Sequence, residues 1–147
     1  MTDIISPCKR SVLMGKIKGE DTQPEIVVRR LLYGLGYRYR LHVGDLPGRP
    51  DIVLRPRRAV IFVHGCFWHR HHCGRAYNPK SRVAFWQAKF DANVRRDKKN
   101  RRLLTASGWR VLTIWECETK SLSITVLARR LERFLRSQPA TRRRNLR

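Results

Sequence analysis

Apolar residues between positions 22 and 36 recur with the spacing of an amphipathic helix. Thr22 and Glu25 have the spacing of a capping box, and Pro24 falls in the first turn, where proline is favoured. Gly36 provides a stop signal. We therefore predict a helix over residues 22–36 whose buried face carries Ile26, Val28, Leu31, Leu32 and Leu35.

Strand-like patterns follow this helix. Residues 37–43 alternate aromatic or apolar side chains with arginine, as is typical of an edge strand. After a turn at residues 45–50, the β-rich runs 51–54 and 59–63 are separated by Arg-Pro-Arg-Arg and together predict a hairpin.

The second half of the chain returns to helical spacing. We predict a long helix capped by Ser81 and ending near Ala106, then a strand over 109–115 and an arginine-rich amphipathic helix over 125–135. The order helix, three strands, helix, strand, helix indicates one α/β domain without internal repeats. The predicted buried side of the long helix carries Phe85, Trp86, Phe90, Val94 and Leu104.

The charge balance suggests the partner. The 147 residues include 33 Lys and Arg against 11 Asp and Glu, a net charge of +22. Such an excess favours a polyanion, so nucleic acid is the expected partner; a solvated basic surface or a ribosome-associated tail is the alternative. We expect a basic arm over 1–19, one domain over 20–138 and a disordered basic tail over 139–147.

Targeting signals are not evident. No apolar run approaches the roughly 20 residues of a membrane span, and the first residues lack the apolar stretch of a signal peptide. Cysteines grouped with histidines indicate metal ligands more readily than disulfides. We expect a cytoplasmic protein, associated with the nucleoid if the source is a prokaryote, with no membrane partner.

Four of the five histidines and two of the four cysteines fall within residues 64–73. Cys66, His71 and Cys73 lie on this segment, and Cys117 directly follows the last predicted strand, so together they can close a tetrahedral Cys₃His zinc site. A closed site leaves no position for water and is therefore structural. The alternative is that Cys117 is a small buried apolar residue and the histidines lie on the surface.

A second group of residues suggests phosphodiester chemistry. Asp51 begins one strand of the hairpin, and the other strand ends at Val63, so a carboxylate and a main-chain carbonyl can together bind Mg²⁺. His64 and His69 remain free once zinc takes His71, and Asp97 on the long helix can orient one of them as a general base. Taken singly, a turn aspartate and structural histidines are the simpler interpretation.

The motifs carrying these residues resemble those of the very-short-patch repair endonucleases, bacterial enzymes that nick DNA beside a thymine mismatched with guanine. The resemblance covers about residues 11–135. It is carried by Pro47-Gly48-Arg49-Pro50-Asp51, His64-Gly65-Cys66-Phe67-Trp68-His69, His71-His72-Cys73, Phe85-Trp86, Gly108-Trp109-Arg110-Val111-Leu112 and Trp115-Glu116-Cys117.

This resemblance implies a restriction-endonuclease-like domain, with a central mixed sheet flanked by helices and a structural zinc site. In that fold a second motif usually places an acidic residue two positions before a lysine. These positions would fall near Phe62 and His64 here, so the motif is absent, and the family shares this departure. The resemblance also implies magnesium on Asp51 and a main-chain oxygen, with His69 as the base. Family members can carry a threonine at the position of Val63, and Val63 keeps the carbonyl. The expected catalytic set is Asp51, His69, His64, Asp97 and Glu25, and the expected zinc ligands are Cys66, His71, Cys73 and Cys117.

An enzyme that recognises a mispair gains by wedging the base stack open, since unstacking is cheapest there. Phe67, Trp68 and Trp86 are the expected wedge from the major groove, with Met14 entering from the opposite groove. Core packing is the alternative for Trp86, and Met14 is equally compatible with a structural role. Lys89 and Asn93 match family positions that contact the region of the mismatched thymine.

We therefore expect a magnesium-dependent, strand-specific endonuclease that nicks duplex DNA at T·G mismatches and initiates very-short-patch repair of deaminated 5-methylcytosine. It would act as a monomer, with mismatch-repair proteins as possible partners. The alternative is a zinc-stabilised nucleic-acid-binding protein without catalysis, which would need none of Asp51, His69 and Asp97. A zinc deaminase is disfavoured because its Pro-Cys-x-x-Cys signature is absent.

Overall fold

The computed structural model describes residues 20–73, 77–121 and 123–137. The predicted basic arm with Met14, and the predicted tail, lie outside these residues. The described elements follow in the order α1 (Gln23–Gly34), β1 (Arg40–Leu41), β2 (Ile52–Leu54), β3 (Ala59–His64), α2 (Val83–Ala106), β4 (Arg110–Trp115), α3 (Glu116–Ser121) and α4 (Ile124–Arg136), with a 3₁₀ turn at Arg55–Arg57.

The sheet is mixed, as expected, with strand order β1-β2-β3-β4. β1, β2 and β3 pair antiparallel, so the predicted hairpin is confirmed, whereas β3 and β4 pair parallel. A parallel pair needs a long crossover, and α2 supplies it. The edge strand is shorter than predicted, and it ends at Leu41 because His42 adopts a positive φ of 47° and takes the chain out of the extended conformation.

Helices cover both faces of the sheet. Leu32 of α1 and Leu131 of α4 are fully buried against one face, in a cluster that includes Ile61 and Ile114. On the other face Leu104 of α2 packs with Val53 and Val60. Each such side chain contributes roughly 1.5–3 kcal/mol by burial, so these clusters hold the strand ends that carry the site.

The helix boundaries support most of the predictions. Both hydrogen bonds of the Thr22–Glu25 capping box are present. The long helix, however, begins one residue later than expected, with Arg82 rather than Ser81 at its N-cap position. Phe85 was wrongly assigned to its buried side and is 46% exposed, because its ring contacts its helix neighbour Trp86 and the Arg82 guanidinium rather than the core.

The short helix α3 was not predicted, since six residues are too few to display a helical period. It lies directly after β4, where only a strand end was expected. Among the helices described here, none has both the length and the apolar character needed to cross a membrane.

Candidate active site and metal centre

A cleft of about 780 Å³ opens between the sheet, α1 and α2. The five residues of the expected catalytic set all line it, although they come from α1, the residue before β2, the end of β3, the following loop and α2. Basic side chains share its wall, as a polyanionic ligand would require. They are Arg49, Arg96, Lys98 and Arg101.

Asp51 is held by the pairing of β2 with β3. Its Oδ2 accepts a 2.7 Å hydrogen bond from the backbone N–H of Val63. Burial, together with the adjacent Glu25 carboxyl, raises the pKa of Asp51 from 3.8 to about 8. A carboxyl that is only partly exposed and lies beside a second one favours either a proton or a cation, so the donor chemistry suits a hard divalent metal.

Glu25 lies behind Asp51 and is only 2% exposed. Its Oε2 accepts a 2.7 Å hydrogen bond from the backbone N–H of Thr22 and lies 3.7 Å from Nη2 of Arg29. The capping box therefore has two functions: it begins α1, and it turns a carboxylate toward the cleft.

The histidines predicted as catalytic are also brought together. The rings of His64 and His69 stack with centroids 3.8 Å apart and planes 6° apart. His69 Nδ1 lies 2.5 Å from Oδ2 of Asp97 on α2. Burial, followed by the nearby His69, lowers the pKa of His64 from 6.5 to about 4, so His64 is neutral at pH 7.

His42, the histidine outside the motif, was missed as a site residue. Its Nδ1 lies 3.9 Å from Oδ1 of Asp51, and its Nε2 lies 3.1 Å from Nη2 of Arg29. The available signal was its position near the end of a predicted edge strand, where a histidine continues the series of arginines. That signal is too weak to identify a site residue, because single histidines are frequent in strands.

The four predicted zinc ligands converge. The ligand atoms of Cys66, His71, Cys73 and Cys117 all lie within 4.8 Å of one another. His71 Nδ1 is 3.7 Å from Cys66 Sγ and 3.5 Å from Cys117 Sγ. A tetrahedral zinc with usual bond lengths separates S and N ligands by about 3.6 Å, so the donor set fits zinc. α3 brings Cys117 to the site, and its backbone N–H approaches Cys66 Sγ at 3.4 Å.

Cys66 itself is fully buried. Without a cation, burial raises the pKa of its thiol from 9.0 to about 12. A buried thiol of this kind becomes a thiolate when a metal compensates for its charge. The cluster therefore has the chemistry of a metal site.

The predicted wedge residues form one aromatic cluster. Ring centroids of Phe67, Trp68 and Trp86 are separated by 5.0–5.9 Å. Tyr77 stacks on Phe67 at 4.8 Å, so a face of Phe67 is covered, whereas Trp68 lines the cleft. Phe90 approaches Phe67 edge-on, with ring centroids 5.1 Å apart.

The two predicted mismatch contacts both touch Trp68. Lys89 Nζ lies 5.2 Å from the centre of the Trp68 ring, and Asn93 Nδ2 donates a 3.1 Å hydrogen bond to the Trp68 carbonyl. α2 therefore holds Trp68 by its main chain and places a cation over its side chain.

Comparison with known proteins identifies relatives of this chain. Residues 2–75 match the family model described as DNA mismatch endonuclease Vsr. A type II nicking enzyme, V.XorIIP, of Xanthomonas oryzae is 51% identical over 122 residues, which are 83% of this chain and 90% of the relative. The DNA mismatch endonuclease Vsr of Escherichia coli is 40% identical over 144 residues, covering 96% of this chain and 92% of the relative.

A solved structure shares the fold. The catalytic domain of the homing endonuclease I-Bth0305I matches with a TM-score of 0.54 and 23% identity, covering 78% of this chain and 94% of that domain. The mixed sheet and its flanking helices thus form an endonuclease fold.

Proposed function

Because this chain belongs to the DNA mismatch endonuclease Vsr family, we propose that it nicks one strand of duplex DNA beside the thymine of a T·G mismatch. Such a nick would initiate very-short-patch repair of deaminated 5-methylcytosine. The proposal rests on the joint presence, in one basic cleft, of the partly buried Asp51 and the His69–Asp97 pair. A protein that only binds nucleic acid needs neither.

Asp51 and the main-chain carbonyl of Val63 would hold Mg²⁺, with Glu25 adding negative charge nearby. When bound, the cation would supply charge stabilisation at the phosphate as it reacts. The chain prepares this function by keeping the Asp51 carboxylate fixed against the Val63 N–H. Since only main-chain atoms of Val63 take part, a side chain without a hydroxyl at this position leaves the arrangement intact.

His69 would act as the general base. Its Nδ1 faces the Asp97 carboxylate, so Nε2 is left to accept a proton from the attacking water. Asp97 then stabilises the imidazolium that forms, while the water oxygen bonds to phosphorus and one P–O ester bond breaks. His64 is neutral and its ring stacks on that of His69. It would therefore fix the plane of the His69 ring without adding a positive charge beside the imidazolium.

Trp68 and Trp86 would recognise the mismatch by stacking on bases, and Phe67 would support both indoles through its ring contacts with them. Each stacked base contributes roughly 1–3 kcal/mol. Partial unstacking costs least where pairing is already weak, so the stacking energy favours a mispair. Lys89 and Asn93 would contact the displaced thymine, with Met14 entering from the other groove.

Zinc on the Cys₃His cluster would tie the loop after β3 to α3. This role is structural, since the four donors complete a tetrahedron. We further propose that the enzyme is monomeric, acts in the bacterial cytoplasm near the nucleoid and cooperates with mismatch-repair proteins.

A strand-resolved cleavage assay tests the function. Otherwise identical duplexes with T·G, T·A or C·G at one position are incubated with the protein and Mg²⁺ in several sequence contexts. We expect a nick only beside the mismatched thymine, absent in Asp51→Ala and present in Asp45→Ala, whose carboxylate is exposed and paired with Arg55. Equal cleavage of the three duplexes, or a near wild-type rate for Asp51→Ala, would contradict the proposal.

A further inference from the structure

Trp115 lies between the two chemical groups of the site. It is the last residue of β4, and its Cα is paired in the parallel ladder with that of His64. Two residues later the chain reaches Cys117 of the thiol cluster. One side chain is thus adjacent both to the proposed zinc ligands and to the proposed catalytic histidines.

The indole contacts one histidine from each group. The ring of His71 stacks on it with centroids 4.3 Å apart and planes 11° apart. The ring of His64 meets it nearly edge-on, at 5.4 Å and 71°. The main chain of Trp115 is held as well, since its N–H donates a 2.7 Å hydrogen bond to Oε2 of Glu118.

His64 in turn supports the base. Its ring packs flat on His69 at 3.8 Å and is flanked by Phe62 at 5.5 Å. Aromatic packing therefore determines the plane of the His64 ring, and that ring supports one face of His69. The contacts run without a gap from His71 through Trp115 and His64 to His69.

We propose that Trp115 is a positioning residue for the general base, transmitting the rigidity of the metal-held His71 to His69 through the stacked ring of His64. This inference rests on the proposed function. Since a misplacement of about 1 Å can cost about 10²-fold in rate, a loss of the indole should act on the chemical step. Zinc should remain, because all four donors are retained.

The test combines a conservative variant with a double-mutant cycle. Trp115→Leu should lower the single-turnover nicking rate at saturating T·G duplex by about 10–100-fold, with DNA affinity and zinc content within twofold of wild type. Trp115→Phe keeps a flat ring and should retain at least about a third of the rate. Trp115→Met replaces the leucine variant if that protein does not fold.

The decisive measurement is made in the His69→Ala background. If Trp115 acts through the base, Trp115→Leu should slow that variant less than about twofold, because the group that it positions is already gone. The matched control is Trp109→Leu, directly before β4, where the indole packs against the cluster of Leu104, Val53 and Val60. This control should lower the melting temperature and leave the rate at saturation unchanged.

The outcomes separate the inference from its premise. If His69→Ala nicks at the wild-type rate, the proposed base is wrong and the inference fails with it. If His69→Ala is slow and Trp115→Leu lowers its rate by the same factor as in wild type, only the role of Trp115 is overturned. A loss confined to DNA affinity or to zinc content would overturn it equally.

Discussion

His69 and Asp97 lie 28 residues apart in the chain, yet Nδ1 of the imidazole is 2.5 Å from Oδ2 of the carboxylate. The loop after β3 supplies the histidine and α2 supplies the acid. Their contact assigns the two ring nitrogens different functions, since the one facing Asp97 cannot also accept a proton from water. The adjacent His71 instead faces the thiol cluster, so the structure separates two histidines that the motif presents together.

Replacing these two histidines should therefore have different effects. His69→Ala should lower the nicking rate by about 10²–10⁴-fold, the usual contribution of a general base, with zinc content unchanged. His71→Ala should instead lose zinc. Single-turnover nicking and metal analysis of both variants test this, and the opposite pattern would mean that the base and the ligand have been exchanged.

One zinc ion should be bound per chain. Cys117→Ser should weaken it because the remaining three donors no longer complete a tetrahedron. The control is His72→Ala, since this exposed neighbour of His71 does not belong to the cluster. Metal analysis and thermal unfolding report the result; wild-type protein without stoichiometric zinc, or Cys117→Ser with full affinity, would rule out the site.

Trp68→Ala should reduce the preference for T·G over T·A more than it reduces overall DNA affinity. The stacking energy of a wedge appears as selectivity, because a mispair is already partly open. Arg101→Ala should do the reverse, weakening binding to both duplexes and making the salt dependence shallower. Rates and affinities on matched duplexes at fixed salt test the pair. An equal loss on both duplexes after Trp68→Ala would leave Trp68 as a packing residue.

Without Mg²⁺, the free energy of unfolding should decrease as pH rises from about 6.5 to 8. The pKa of Asp51 is 3.8 in the unfolded chain and about 8 in the folded protein. The stabilisation from its protonated form is therefore complete below pH 3.8 and is lost progressively as the pH rises to about 8. His64 acts in the opposite sense below 6.5, since its folded pKa of about 4 means that acid removes stability. Below pH 6.5 the effects of Asp51 and His64 on stability oppose each other. Above pH 6.5 only the effect of Asp51 remains.

Asp51→Asn is the matched variant for this measurement, because it retains the neighbours Glu25, Arg29 and His42 and removes only the titrating group. Urea unfolding of zinc-loaded protein between pH 6.5 and 8.5 should give a flatter profile for the variant than for wild type. Added Mg²⁺ should flatten the wild-type profile as well, since a cation replaces the proton. Parallel profiles for the two proteins would contradict the assignment of this slope to Asp51.

Local pattern alone was sufficient for much of this protein. The capping box that begins α1, the β2–β3 hairpin and the strand β4 were all predictable, because their signals lie within a few residues of one another. The same is true of the three clustered residues proposed to bind zinc, whose spacing is a property of one loop. The resemblance to mismatch endonucleases rests on these short motifs.

Only the tertiary structure decided which residues meet. The unpredicted α3 turns Cys117 toward Cys66, the crossover through α2 brings Asp97 to His69, and the β3–β4 register sets Trp115 beside His64. Periodicity placed Phe85 on the buried side of α2, whereas in the structure it is exposed. Short motifs determine contacts between residues that lie a few positions apart in the chain. Contacts between distant residues are set by the packing of the whole sheet and its helices, and the site consists mainly of such distant contacts.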